Sequence, residues 1–159
     1  MDINEFWENA RVGADLNPLH VWVGPRAWGT VPPPAWAFGD TPELADKLAE
    51  DILSGKKTST TSLLWEYQKE GVALPEQGTL GIVLDGSDKP RALVLTTDVR
   101  VIPFEDVDEA HALGESDSLE SWRTAHEDFA RRMDDGSHPF SPSMPVVLET
   151  LEVLYPKVR

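Results

Sequence analysis

The run Gly55-Lys56-Lys57-Thr58-Ser59-Thr60 sets two ammonium groups beside three hydroxyls. The chain around it is acidic, with 28 Asp and Glu against 14 Lys and Arg and a formal net charge of -14 at pH 7. Adjacent lysines next to potential nucleophiles are therefore the strongest chemical signal in the sequence. A threonine hydroxyl is a poor nucleophile near neutral pH and needs a neighbouring base. A lysine serves as that base only when burial or a second cation depresses its pKa, and Lys56 is placed for the second effect. Otherwise Lys57 is a fixed positive charge that stabilises a developing oxyanion. A plainer reading stands beside these. Lysines after a helix complement its negative end, and a Thr-rich run is ordinary strand composition. In an extended segment Lys57 and Thr60 face opposite sides; in a turn both can point into one cavity. Both geometries remain open at this point.

Glu115 lies in Ala112-Leu113-Gly114-Glu115-Ser116, between two helical segments, as either one solvated acid among 28 or a site acid. On the following helix, Trp122 reads as core, Arg123 as a surface or ion-pairing group, and His126 as a boundary residue one turn beyond Trp122. The sequence has no cysteine, which excludes disulfides, thiolate metal sites and Cys nucleophiles. His20, His111, His126 and His138 show neither H-x-x-x-H nor H-E-x-x-H spacing, so no metal and no cofactor are expected. Trp22, Trp28 and Trp36 fall in an irregular stretch over 11–39. They either anchor a long loop on the domain or form an aromatic wall for a flat base.

The elements that must position these groups follow from pattern. Residues 2–10 read as a short helix carrying Phe6 and Trp7. Thr41 as N-cap and Pro42 at the first helical position open a second helix, with Leu44, Leu48 and Ile52 as its apolar stripe and Gly55 as a left-handed C-cap. Residues 58–61 favour extended structure. Residues 79–104 read as two strands around the turn Asp85-Gly86-Ser87-Asp88. A helical turn or two follows over 105–112. Asp117-Ser118-Leu119-Glu120 is a capping box, and it opens a helix whose apolar face is Leu119, Trp122, Ala125, Phe129 and Met133. Gly136, Pro139 and Pro142 break the chain before a final strand over 144–155. Strands and helices without regular βαβ alternation predict an α+β fold, a small mixed or antiparallel β-barrel with flanking helices.

At 159 residues one domain is expected, long enough to bury a core. The opening Met-Asp-Ile-Asn-Glu-Phe-Trp-Glu lacks a basic region followed by an apolar run, and no apolar stretch approaches the ~20 residues of a membrane span. A soluble, cytoplasmic protein without a membrane partner is expected. The acidic balance repels a long polyanion, so no DNA partner is expected, and a small neutral substrate or a local positive pocket fits better.

Taken in order, these segments resemble the ASCH domain family, whose fold is related to the PUA domain. The likeness runs from about Trp36 to Tyr155. It begins with Phe38-Gly39-Asp40 and Leu44-Ala45-Asp46, and continues with Gly55 to Thr60, which looks like the family's Gly-x-Lys-x-x-Thr/Ser signature. Thr96-Thr97-Asp98-Val99 leading to Ile102-Pro103-Phe104 comes next, then Ser118-Leu119-Glu120-Ser121-Trp122-Arg123 with His126 and Phe129, and finally Met144-Pro145-Val146-Val147-Leu148-Glu149. The resemblance implies a β-barrel core over 36–159, with the helix and Pro/Trp-rich loop of 1–35 packed on it.

The resemblance also implies a link to RNA metabolism. One branch that hydrolyses N4-acetylcytidine is similar at its functional positions: its catalytic lysine and threonine fall on Lys57 and Thr60, and its catalytic glutamate on Glu115. The family's usual Glu-Gly-Glu reads Leu113-Gly114-Glu115 here, a departure at its first acid. The likeness implies that Lys57, Thr60 and Glu115 line one pocket, with Thr60 attacking an acyl carbonyl. Lys57 would take its proton or hold the oxyanion. Glu115 would orient Lys57 or protonate the departing amine. Lys56, Ser59, Trp36 and Trp65 are the substrate-binding candidates, for a modified nucleoside or RNA. Other relatives cleave single-stranded RNA. The alternatives are therefore an RNA-binding or RNA-cleaving module with Lys56, Lys57 and Lys69 on phosphate, or a sensing domain that binds a modified nucleoside and leaves it unchanged.

Overall fold

Helix α1, Ile3–Gly13, opens where the Asp2 carboxylate accepts the Glu5 N–H at 2.8 Å. In this computed structural model the residues described are 1–14 and 31–157; Trp22, Trp28 and the rest of 15–30 lie outside them. Strand β1, Ala35–Ala37, leads to helix α2, Pro42–Ser54. Thr41 Oγ1 accepts the Leu44 N–H at 3.1 Å, and Gly55 ends the helix at φ 81°, a left-handed conformation that glycine adopts without steric cost. Strand β2, Ser59–Leu63, runs directly into α3, Leu64–Glu70. Then come β3, Leu80–Leu84, and the long β4, Pro90–Pro103. A 3-10 turn over Phe104–Asp106 precedes α4, Glu109–Leu113, and α5, Leu119–Met133. Strand β5, Pro145–Tyr155, closes the order.

The fold is α+β. The five strands form one sheet in the order β1-β3-β4-β5-β2, parallel between β1 and β3 and antiparallel in the β3/β4 and β2/β5 pairs. Among the described residues no helix is long and apolar enough to cross a membrane.

Two compact units divide the chain, and β4 and β5 contribute residues to both. The first comprises Met1–Lys56, Gly78–Leu95 and Glu152–Arg159. Its core sets Phe6, Trp7 and Ala10 of α1 against Leu80, Ile82 and Leu93, with Tyr155 edge-on to Phe6 at 5.5 Å. Gly81 is fixed by packing, since a Cβ there would lie 1.9 Å from the Trp36 ring. The second unit comprises Lys57–Gln77 and Thr96–Leu151. Its core centres on the fully buried Trp122, among Leu63, Phe104, Val107, Met144, Val146 and Leu148. Truncating such an indole to alanine costs about 3–5 kcal/mol.

Several local readings shift. Helix α3 and strand β1 have no counterpart in the pattern: α3 buries none of its residues, and β1 is only three residues long. On α5, Ala125 is exposed and Met133 lies at the surface, while Ala130 is buried beside Trp122. On α2 the fully buried positions are Ala45, Ala49 and Ile52, with Leu44 and Leu48 half-buried. On each helix one large side chain, Ile52 on α2 and Trp122 on α5, is buried together with small alanines.

Candidate functional site

The site lies wholly within the second unit. Beyond Gly55 the chain leaves α2 through a turn, and β2 begins only at Ser59, so strand alternation does not dictate where Lys57 points. Its side chain turns inward and is 6% exposed. Lys57 Nζ donates to the Ser59 carbonyl at 2.6 Å and to Glu115 Oε1 at 3.2 Å.

The loop carrying Glu115 is docked on that corner. Thr58 N–H donates to Gly114 O at 2.9 Å, and Ser59 Oγ donates to His111 O at 2.8 Å. A Cβ on Gly114 would lie 2.2 Å from Ser59 Oγ and 2.9 Å from Thr58 Oγ1, so only glycine leaves room for the two segments to meet. Asp108 caps α4 by accepting the His111 N–H at 2.9 Å, and Ser118 caps α5 by accepting the Ser121 N–H at 3.0 Å. Two capped helices thus fix the short connection between them.

Glu115 is the hub. Its Oε2 accepts from Thr61 Oγ1 at 2.6 Å and from Trp122 Nε1 at 2.7 Å. His111 Nε2 lies 3.3 Å and His126 Nε2 3.5 Å from the same oxygen. Thr61 Oγ1 is also 2.8 Å from His111 Nε2. Since the single Thr61 hydroxyl proton goes to Glu115, His111 Nε2 must carry the hydrogen in that contact. His126 stacks on Trp122 at 4.3 Å and directs Nδ1 to the Trp122 carbonyl at 2.9 Å. Burial alone would raise the Glu115 pKa. Hydrogen bonds from His111 and His126, with the charges of Lys57 and His126, outweigh it and hold the carboxyl well below its ordinary range.

Thr60 leaves the strand on the other face. In the β2/β5 register Thr61 opposes Leu148, a member of the Trp122 core, whereas Thr60 opposes Glu149. Successive strand side chains alternate, so Thr60 and Glu149 share the face opposite Thr61. Thr60 is 8% exposed, and among the described residues its hydroxyl has no side-chain hydrogen bond. Glu149 is equally buried and accepts from Thr96 Oγ1 at 3.1 Å. Its burial raises its pKa, against the Thr96 hydrogen bond and the Lys57 charge. Lys57 thus acts on two buried carboxyls shifted in opposite directions.

The remaining sequence candidates are placed as follows. Ser59 spends its hydroxyl on His111 and its carbonyl on Lys57. Trp65 stacks on His138 at 4.2 Å, with Lys69 Nζ 5.7 Å from its centroid. Lys56 and Trp36 belong to the first unit, where Lys56 is exposed and Trp36 packs on Gly81. Leu113, where the family likeness leads one to expect an acid, is 50% exposed. Sequence reasoning missed Thr61, His111 and Glu149 and gave Trp122 and His126 only packing roles. One signal was readable: Glu149 interrupts the apolar run Val146-Val147-Leu148 in a strand, and such an acid needs partners when buried.

A family model described as the ASCH domain matches residues 34–155. A crystal structure of a protein from Enterococcus faecalis is similar over 95% of this chain and 86% of its own, with 31% identity and a TM-score of 0.80. A crystal structure of an ASCH domain from Lactobacillus crispatus is similar over 93% of this chain and 95% of its own, with 27% identity and a TM-score of 0.73. None of the curated proteins matches.

Proposed function

This chain belongs to the ASCH domain family, and from that premise we propose that it is an amidohydrolase removing the acyl group from the exocyclic amine of an N4-acylated cytidine-type nucleoside. The observation that carries the reading is the buried Lys57–Glu115 pair, with Thr60, whose hydroxyl has no side-chain hydrogen bond among the described residues, three residues along. Thr60 Oγ attacks the acyl carbon. The ammonium of Lys57 stabilises the oxyanion that develops, a preorganised charge worth most in a site sheltered from water. Glu115, held ionised by its many donors, is a poor proton donor and acts by fixing Lys57 in place. The products are the free nucleoside amine and a carboxylic acid.

Family membership supports a role connected with RNA in the broad sense. A phosphate-binding patch of Lys56, Lys57 and Lys69 draws less support. Lys57 is buried against Glu115, Lys69 is ion-paired with Asp135 at 2.9 Å, and the chain carries a net charge of -14. A small neutral substrate suits this electrostatic setting better than a polyanion.

The test offers purified protein N4-acetylcytidine and, in parallel, single-stranded RNA of mixed sequence, across a salt titration. The expected result is cytidine release at a rate almost independent of salt, with the RNA left intact. RNA shortening that weakens steeply with salt, with acetylcytidine untouched, replaces this reading with the ribonuclease one.

A further inference from the structure

A hydroxyl nucleophile must lose a proton, and the leaving amine must gain one. Lys57 is engaged by Glu115 and the Ser59 carbonyl, and both Glu115 oxygens are engaged by donors. We propose that Glu149, opposite Thr60 on β5, is the acid–base residue of this site. The inference rests on the hydrolase reading above.

The geometry is that of a directly opposed antiparallel pair. Thr60 and Glu149 are register partners, so their Cβ atoms lie about 4.5–5.5 Å apart on one face. Thr60 is 8% exposed and so is Glu149. One Glu149 oxygen accepts from Thr96 Oγ1 at 3.1 Å, which orients the carboxyl. Among the described residues no side-chain hydrogen bond engages its other oxygen. Among the described residues, the charged and titratable groups coupled to Glu149 are Lys57, ahead of β2, and Tyr67 on α3; the Ser62 hydroxyl bonds Tyr67 on the same strand face as Thr60. Glu115 is held ionised while burial shifts Glu149 upward. Carboxyls driven apart in this way divide between a fixed charge and a proton carrier.

The step balances. Thr60 Oγ bonds to the acyl carbon and its proton passes to the Glu149 carboxylate. The carbon–nitrogen bond breaks with its electron pair on the exocyclic nitrogen, and Glu149 delivers the proton there. Water then adds to the acyl carbon of the Thr60 ester and gives a proton to Glu149. The ester bond breaks as that proton returns to Thr60, and the carboxylic acid leaves.

The test uses two probes on wild type, Glu149→Gln and Glu149→Asp, each checked by circular dichroism: N4-acetylcytidine turnover, and acylation of Thr60 by p-nitrophenyl acetate read by peptide mass spectrometry. Glu149→Gln should slow acylation by at least about 100-fold and abolish the acid limb of the pH–rate profile. Glu149→Asp should be intermediate and keep a displaced acid limb. Should Glu149→Gln fail to fold, the limb in Glu149→Asp decides, and an unmoved limb overturns the proposal. Wild-type acylation in Glu149→Gln, or no acylation of Thr60 in wild type, overturns it as well. Glu149-dependent acylation of Thr60 with inert acetylcytidine upholds this assignment and removes the substrate reading. Acetylcytidine turnover unchanged in Glu149→Gln does the reverse.

Discussion

Lys57 Nζ lies 3.2 Å from Glu115 Oε1, with both side chains more than nine-tenths buried. Two charges withdrawn from water are stable only while each keeps the other. Removing one partner strands the second and costs about 3–5 kcal/mol. Glu115→Ala should therefore lose most of that amount in urea denaturation, the more so because Thr61, His111 and Trp122 lose an acceptor together. A loss under about 1 kcal/mol, the value of an exposed pair, would mean that the pair is open to solvent.

The two buried carboxyls should give stability opposite pH signatures. Glu115 has its folded pKa lowered, so its contribution is present above its unfolded pKa, near 4.5, and is lost as pH falls through the lower folded value. Glu149 has its folded pKa raised, so its penalty at neutral pH is relieved as pH falls through that value towards 4.5. On acidification wild type should first gain stability relative to Glu149→Gln and then lose it relative to Glu115→Gln. Thermal melts from neutral pH down to about 3 read both; parallel curves for all three proteins would contradict the assignment.

Gly114 tests how the site is assembled. A methyl there meets Ser59 Oγ at 2.2 Å and Thr58 Oγ1 at 2.9 Å. Gly114→Ala should cost about 1–3 kcal/mol by overpacking and move Glu115 away from Lys57, lowering kcat more than it changes KM. An unchanged melting temperature would show that the α4–α5 connection tolerates displacement.

Neighbouring threonines should separate stability from rate. Thr61→Val removes the hydroxyl that donates to Glu115 at 2.6 Å and should cost about 1–3 kcal/mol. Thr60→Ala removes a hydroxyl with no side-chain partner among the described residues, so it should unfold like wild type and lose its turnover. The opposite pattern would make Thr61 the reactive hydroxyl.

Much of this was legible in residue order. Thr41, Pro42 and Gly55 bound α2 where capping chemistry puts them, and Ser118 opens α5 as a capping residue. Local hydrogen bonding decides those positions, and the side chains that make it are adjacent in sequence. Lys57 stands out from its residue types and Glu115 through a family likeness, whereas their contact at 3.2 Å depends on the missing Cβ of Gly114 between distant segments. The Thr60–Glu149 pairing was not legible, because it is set by the register of β2 against β5, and a one-residue slip would have put Thr61 there instead. Helix α3 escaped because it buries none of its residues and so shows no apolar period.

The most direct test of the central claim is turnover of N4-acetylcytidine by wild type, Thr60→Ala and Lys57→Ala, each with and without a chelator. The proposed step uses only the side chains of this site, so the chelator should leave the wild-type rate unchanged. Both variants should lose at least about 100-fold in kcat, since members of a cooperating set fail together. Wild type that leaves acetylcytidine intact, or Thr60→Ala that hydrolyses it at the wild-type rate, would contradict the account.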